Sequence, residues 1–194
     1  MGAIFQSLGR TITAGVVILL VIMAAAGTFG QMGSHAWAAF FMRWLHVLSG
    51  VMWIGLLWYF NFVQTPSMPK IPDEQKPAVS KVIAPSALFW FRWSALATVV
   101  TGLLLAWMQG FIMVLFTFQG THKAIAIGMW LGLIMAFNVW FIIWPNQKKA
   151  LGIVQVDAAE KAAAAKMAGM TSRFNTMLSI PMLYCMVAQQ NGGL

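Results

Sequence analysis

The chain has 194 residues, of which 60% are hydrophobic and 8% charged, with a formal net charge of +8 and a mean hydropathy of +0.78. A soluble domain carries about 25% charged residues, so this composition excludes one and names lipid as the solvent. Cys185 is the only cysteine, which excludes an intrachain disulfide, and the sequence holds neither a CxxCH haem-attachment motif nor a CxxC pair.

A helix that crosses a bilayer needs roughly 20 mostly apolar residues. Apolar runs at about 11–30, 37–63, 86–110, 122–144 and 174–190 predict five spans, in an all-α polytopic bundle forming one integral membrane domain over residues 1–194. Arg10 and the "MAAAG" stretch resemble parts of a signal peptide, yet the first run is expected to stay as a span. Between spans two and three lies "QTPSMPKIPDEQKPAVSKVIAP". Proline lacks a donor and clashes inside a helix, so this stretch reads as a surface loop. Span four is expected to stop at Pro145. Beyond it, Asp157 and Glu160 stand at capping-box spacing and Asp157–Lys161 is an i,i+4 pair, which predicts a short surface helix. The fifth run is the weakest, being short and containing Pro181.

Charge sets an orientation. With the N-terminus in the cytoplasm, that side receives Arg10, Lys70, Lys76, Lys81, Lys148, Lys149, Lys161, Lys166 and Arg173. The outer side receives Lys123, with Arg43 inside span two. Positive-inside bias therefore predicts an N-in, C-out chain. The basic residues fall between apolar runs rather than on one face, so nucleic acid is not expected as a partner. The bilayer is.

This orientation gathers polar residues near the outer face. In "RWLHVLSGVMWIG" (Arg43–Gly55), Arg43 and His46 lie one turn apart, followed on the same face by Gly50 and Trp53. Ionisable residues at membrane depth usually face a bundle interior, a cavity or a cofactor. A glycine one turn from a histidine opens a slot for a flat macrocycle, neutral imidazole is a haem-iron ligand, and Arg43 would suit a haem propionate. His46 reads equally as an interhelical hydrogen-bonding residue, and Arg43 as a cation snorkelling to phosphates. His122 and Lys123 open span four, where an interfacial role fits both, and His35 reads as a loop residue. Toward the other end, Arg92 reads as a snorkelling cation, and Asn61 and Asn138 as interhelical glue. "GMWLG" (Gly128–Gly132) is a small-xxx-small packing pattern. The 15 methionines suit soft Cu(I) but are scattered, which favours apolar filling over copper transport. All four acidic residues, Asp73, Glu74, Asp157 and Glu160, fall outside the spans, which disfavours a transporter driven through a membrane carboxylate.

"RWLHVLSGVMWIGLLWYFNFVQTP" (Arg43–Pro66) and "HKAIAIGMWLGLIMAFNVWFIIWPNQKKALG" (His122–Gly152) resemble the N-terminal membrane domain of bacterial membrane-bound, cytochrome c-linked urate oxidases (urate hydroxylases). A looser similarity, mainly in "LHVLSGVMWIG", extends to HemJ-like and CopD-like membrane proteins. The resemblance implies a bundle that holds haem b and transfers electrons, an oxidoreductase component. His46 would be an axial ligand and His122 a second metal ligand or a substrate-side base. Gly50 and Trp53 would flank the cofactor, and Arg43 and Lys123 would hold propionates or a substrate anion. The family's usual cytochrome c domain is not in these residues, so the implied electron partner is a separate cytochrome c. The rival expectation is an accessory structural subunit of a larger respiratory or photosynthetic complex, without chemistry of its own.

Overall fold

The computed structural model of the chain describes residues 2–118 and 122–193, and all regular structure among them is helical. The chain divides into two units, Met1–Phe41 and Met42–Leu194.

In the first unit, α1 (Gly2–Phe5) precedes α2 (Leu8–Ala25), none of whose residues is buried. Helix α2 ends where Gly27 adopts a left-handed backbone (φ +67°), a conformation that costs glycine nothing. A 3-10 turn (Thr28–Gln31) follows, and then α3 (His35–Trp58) begins. Ser34 caps α3 by accepting the Trp37 amide at 3.1 Å. His35 is thus the first residue of a helix rather than part of a loop.

In the second unit, α3 passes through a π-helical segment (Tyr59–Gln64), α4 (Thr65–Ser67) and a 3-10 turn (Met68–Lys70). Another π segment (Ala78–Ile83) leads into α5 (Ala84–Met108), which α6 (Val114–Thr117) follows. Next, α7 (Lys123–Phe137) runs through a third π segment (Asn138–Ile143) into α8 (Trp144–Ala150), and α9 (Ala158–Asn191) closes the unit.

Four stretches are long and apolar enough to cross a membrane: Leu8–Ala25, His35–Lys70, Ala78–Met108 and Lys123–Ala150. Each overlaps one of the first four expected spans, with limits shifted by a few residues. The fifth, 174–190, is the C-terminal half of the 34-residue α9, which runs straight on from the expected surface helix. Asp157 caps α9 by accepting the Glu160 amide at 2.7 Å, as the spacing predicted. Glu160 itself pairs with Lys149 at 2.6 Å, and the expected Asp157–Lys161 ion pair does not form.

The prolines were the least legible feature. Helix α3 continues past Pro66 to Lys70, and the third π segment carries the helix across Pro145, so neither proline ends a span where the sequence placed its limit. Three times, a six-residue π segment is followed by one residue and then proline: Pro66, Pro85 and Pro145. The amide just before each proline reaches back five residues, Thr65 to Phe60, Ala84 to Val79 and Trp144 to Val139. The widened turn accommodates a ring that would strike the carbonyl four residues back in a regular helix.

The core of this unit joins Trp53, Ile54 and Leu57 of α3 to Leu88, Phe91 and Ala95 of α5, Met135 and Val139 of the α7 stretch, and Met182 of α9. Polar groups tie the helices together. Asn138 donates to Asn175 Oδ1 at 2.8 Å and Asn175 donates to the Met135 carbonyl at 2.9 Å. Asn61 donates to Ser172 Oγ at 2.8 Å, and Trp58 donates to Ser179 Oγ at 2.9 Å. Both asparagines are therefore glue between helices. Of the "GMWLG" pair only Gly128 marks a close approach: a Cβ there would lie 3.1 Å from the Cys185 Cβ on α9, while one at Gly132 would meet nothing.

Candidate functional site at His46

Helix α5 presents Ser94, Thr98, Thr101 and Gly102 along "SALATVVTG". The three hydroxyls fold back onto their own helix: Ser94 donates to the Trp90 carbonyl at 2.6 Å, Thr98 to Ser94 at 2.7 Å and Thr101 to Ala97 at 2.6 Å. Side chains that back-bond in this way stay close to the helix surface. The result is a low polar strip, ending in a glycine with no side chain at all.

His46 of α3 lies on that strip. Its Nδ1 is 2.8 Å from the Thr98 carbonyl oxygen and 3.4 Å from Thr101 Oγ1. A carbonyl oxygen only accepts, and the Thr101 proton is already directed at Ala97, so Nδ1 must carry the hydrogen and donate it. In the neutral ring this leaves the lone pair on Nε2. Nε2 has no hydrogen-bond partner among the described residues.

The close approach depends on Gly102. A Cβ at that position would lie 2.8 Å from His46 Cε1 and 3.0 Å from Nδ1. The glycine slot is thus on the neighbouring helix, and the imidazole itself fills it. Gly50, expected to make the slot, needs no such account: a Cβ there would meet only Thr98 Cγ2, at an ordinary 3.9 Å.

The other expected site residues are dispersed. Trp53 is 1% exposed and packs into the core, its Nε1 buried without a partner among the described residues. Arg43, one turn before His46, is half-buried. Lys123 is exposed at the start of α7, and His122 just before it stacks on Phe111, with ring centroids 5.3 Å apart and planes 22° apart. His46 meets α5 at Thr98–Gly102, whereas Phe111 lies beyond the end of that helix at Met108. His46 and His122 thus contact different segments, α5 at Thr98–Gly102 and the turn after it at Phe111, whose amide donates to the Ala106 carbonyl at 3.1 Å. No group of three or more His, Cys, Asp or Glu able to hold a metal occurs among the described residues. Arg92, read from sequence as snorkelling, places its guanidinium 3.3 Å from the Trp144 ring centre, a cation–π contact.

Sequence reasoning missed Thr98, Thr101 and Gly102. The signal was present: small polar residues three to four apart, then glycine, in an otherwise apolar run. No residue in that run is ionisable, so nothing in it stands out by charge.

Four helices long and apolar enough to cross a membrane put the chain in the class of polytopic membrane proteins. Within that class, residues 103–192 match the family model described as Urate oxidase N-terminal. The segment runs from the second half of α5 through α9 and includes His122 and Lys123, and over it the sequence resemblance is borne out. Arg43, His46, Gly50 and Trp53 precede the matched segment, and the looser likeness to HemJ-like and CopD-like proteins is not shown. No curated protein and no solved structure matches the chain.

Proposed function

We propose that this urate oxidase-related chain is a haem-b-binding electron-transfer domain of the bacterial cytoplasmic membrane, oriented N-in, with His46 as an axial ligand. The observation that supports this is the fixed tautomer. Histidines that ligate metals usually donate their other ring N–H to a carbonyl or carboxylate, and His46 donates Nδ1–H to Thr98 while its Nε2 stays unclaimed. The donor chemistry fits the group. Haem would supply a one-electron carrier, Thr98 would orient the ring, and Arg43, one turn toward the outer side, would neutralise a propionate. His122 and Lys123, at the start of α7, suit a second ligand and an anion contact respectively, and a separate cytochrome c is the electron partner this reading requires.

The test is a reduced-minus-oxidised spectrum of the full chain, expressed with haem supplied and purified in mild detergent. The expected result is a b-type Soret and α band, lost in His46→Ala. A chain without these bands, or a His46→Ala variant that keeps them unchanged, refutes the reading.

A second reading, an accessory subunit of a larger membrane complex, has one observation in its favour. The His46 ring rests against Gly102, so packing alone accounts for it. Co-purification of a pigment-free chain with a larger assembly would support this reading over the first.

A further inference from the structure

The second unit contains a cavity of about 140 Å³ at the level of the proline-linked π segments, lined by the polar residues Asn61, Gln64, Thr65, Ser80, Gln147 and Ser172. It lies well away from His46. Asn61 is 15 positions further along the α3 stretch, about 22 Å at 1.5 Å per residue.

The backbone leaves acceptors without regular donors in residues that line this cavity. In a π segment followed by X-Pro, the amide of X reaches back five residues, so the carbonyl four residues before X loses its regular donor. The next residue, five after that carbonyl, is proline and has no N–H to offer. The carbonyls stripped in this way are those of Asn61, Ser80 and Trp140, and the first two residues line the cavity. A third acceptor is Gln64 Oε1, which is buried without a partner among the described residues. Two of the nearby donors are committed elsewhere: Asn61 Nδ2 to the Leu57 carbonyl and Ser172 Oγ, and Ser80 Oγ to the Lys76 carbonyl. Unpaired buried acceptors cost free energy unless something donates to them, and π-helical breaks cluster at functional sites.

The rest of the lining sets the class of occupant. No charged side chain is among the residues lining the cavity, which disfavours a built anion site, and the absence of a carboxylate from that lining disfavours a cation. Phe60 and Phe91 form an aromatic wall, in edge contact at 5.7 Å. The volume is below the roughly 300 Å³ at which sites for drug-sized ligands begin. We infer that this cavity binds a small, uncharged, planar ring that presents two O–H or N–H donors, to the carbonyls freed by the π breaks and to Gln64. A phenolic diol from the bilayer and a lactam from the aqueous side share that chemistry.

The full chain in detergent is titrated calorimetrically with resorcinol and with uracil, and in parallel with their O,O- and N,N-dimethyl derivatives, which keep the ring and lose the donors. At least one donor ring is expected to bind saturably, with its methylated counterpart at least tenfold weaker. The ring that binds identifies the source as phenolic or lactam. Gln64→Leu is expected to weaken binding at least tenfold. Pro66→Ala, which restores an amide at the break while keeping a helix-compatible residue, is expected to weaken it at least threefold with unchanged helix content. Equal binding of the methylated rings, no saturable binding by either donor ring, or both variants binding like wild type would overturn the inference. The haem spectrum plays no part in this readout, so the two proposals fail separately.

Discussion

Substituting Gly102 with alanine separates a structural role for the His46 contact from chance proximity. The added methyl carbon would sit 2.8 Å from Cε1 and 3.0 Å from Nδ1 of the imidazole, closer than real side-chain contacts come. The ring cannot give way without lengthening its 2.8 Å bond to the Thr98 carbonyl. Overpacking of this kind costs about 1–3 kcal/mol and the lost hydrogen bond about 0.5–1.5 kcal/mol. Alanine returns about 0.5–1 kcal/mol of helix propensity. The net loss is on the order of 2 kcal/mol, more than a tenfold shift in the unfolding equilibrium. Gly50→Ala is the control, because its methyl group would meet nothing closer than 3.9 Å, and it should be neutral or slightly stabilising. Reversible unfolding in mixed micelles, followed by circular dichroism, measures both. Gly102→Ala as stable as wild type, or Gly50→Ala the more damaging of the two, would show that the imidazole does not rest on Gly102.

Three further outcomes follow from contacts elsewhere. Asn175 is fully buried between Asn138 and the Met135 carbonyl, so Asn175→Ala should destabilise by about 1–3 kcal/mol, and a double-mutant cycle with Asn138→Ala should return a coupling near 0.6 and not above about 1.7 kcal/mol. Gly128→Ala pushes against Cys185, itself buried, and should speed maleimide labelling of that thiol by separating α7 from α9; unchanged labelling would place the contact elsewhere. The Asp73 carboxyl is held below the ordinary carboxylate range by its hydrogen bond and charge contact with Lys76. Its contribution is therefore present above the ordinary carboxylate pKa and fades as pH falls through the lowered one. Because Asp73 is fully exposed, Asp73→Asn should leave melting between pH 5 and 8 unchanged.

Much of the fold is legible because lipid imposes it. Backbone groups in a bilayer must be satisfied within a helix, so apolar runs sufficed to place the first four membrane-length helices, and capping chemistry placed the start of α9 at Asp157. What could not be read was how the helices treat their prolines. Proline in water-exposed sequence ends a helix, and that rule closed span four at Pro145 and made a loop of the stretch beginning at Gln64. In the bundle, a π turn before each of Pro66, Pro85 and Pro145 opens the helix by one residue and lets it go on. Asn61 and Asn138 were recognisable as glue by type alone. Their partners Ser172 and Asn175 were not, since both lie on the single long helix that sequence divided into two.

The same difference governs the candidate site. Sequence periodicity places residues on one face of one helix, and on that basis Gly50 looked like the partner of His46. The partner is Gly102, 56 positions away on α5, at a contact no single-helix pattern contains. The substitution that matters is therefore not beside the histidine in the chain. The slot is full of imidazole, so His46 could hold iron only through Nε2, on the side of the ring turned away from Thr98. The Thr98 carbonyl gives that geometry its sense, because it holds the proton on the nitrogen nearer α5 and leaves the lone pair on the other. Thr98 acts through its backbone, so Thr98→Val should preserve the bond. A variant that moves the strand of contacts, Gly102→Ala, should disturb it. If Thr98→Val abolished a b-type spectrum while Gly102→Ala kept it, the tautomer argument would be wrong and the histidine would have to be oriented by something other than this carbonyl.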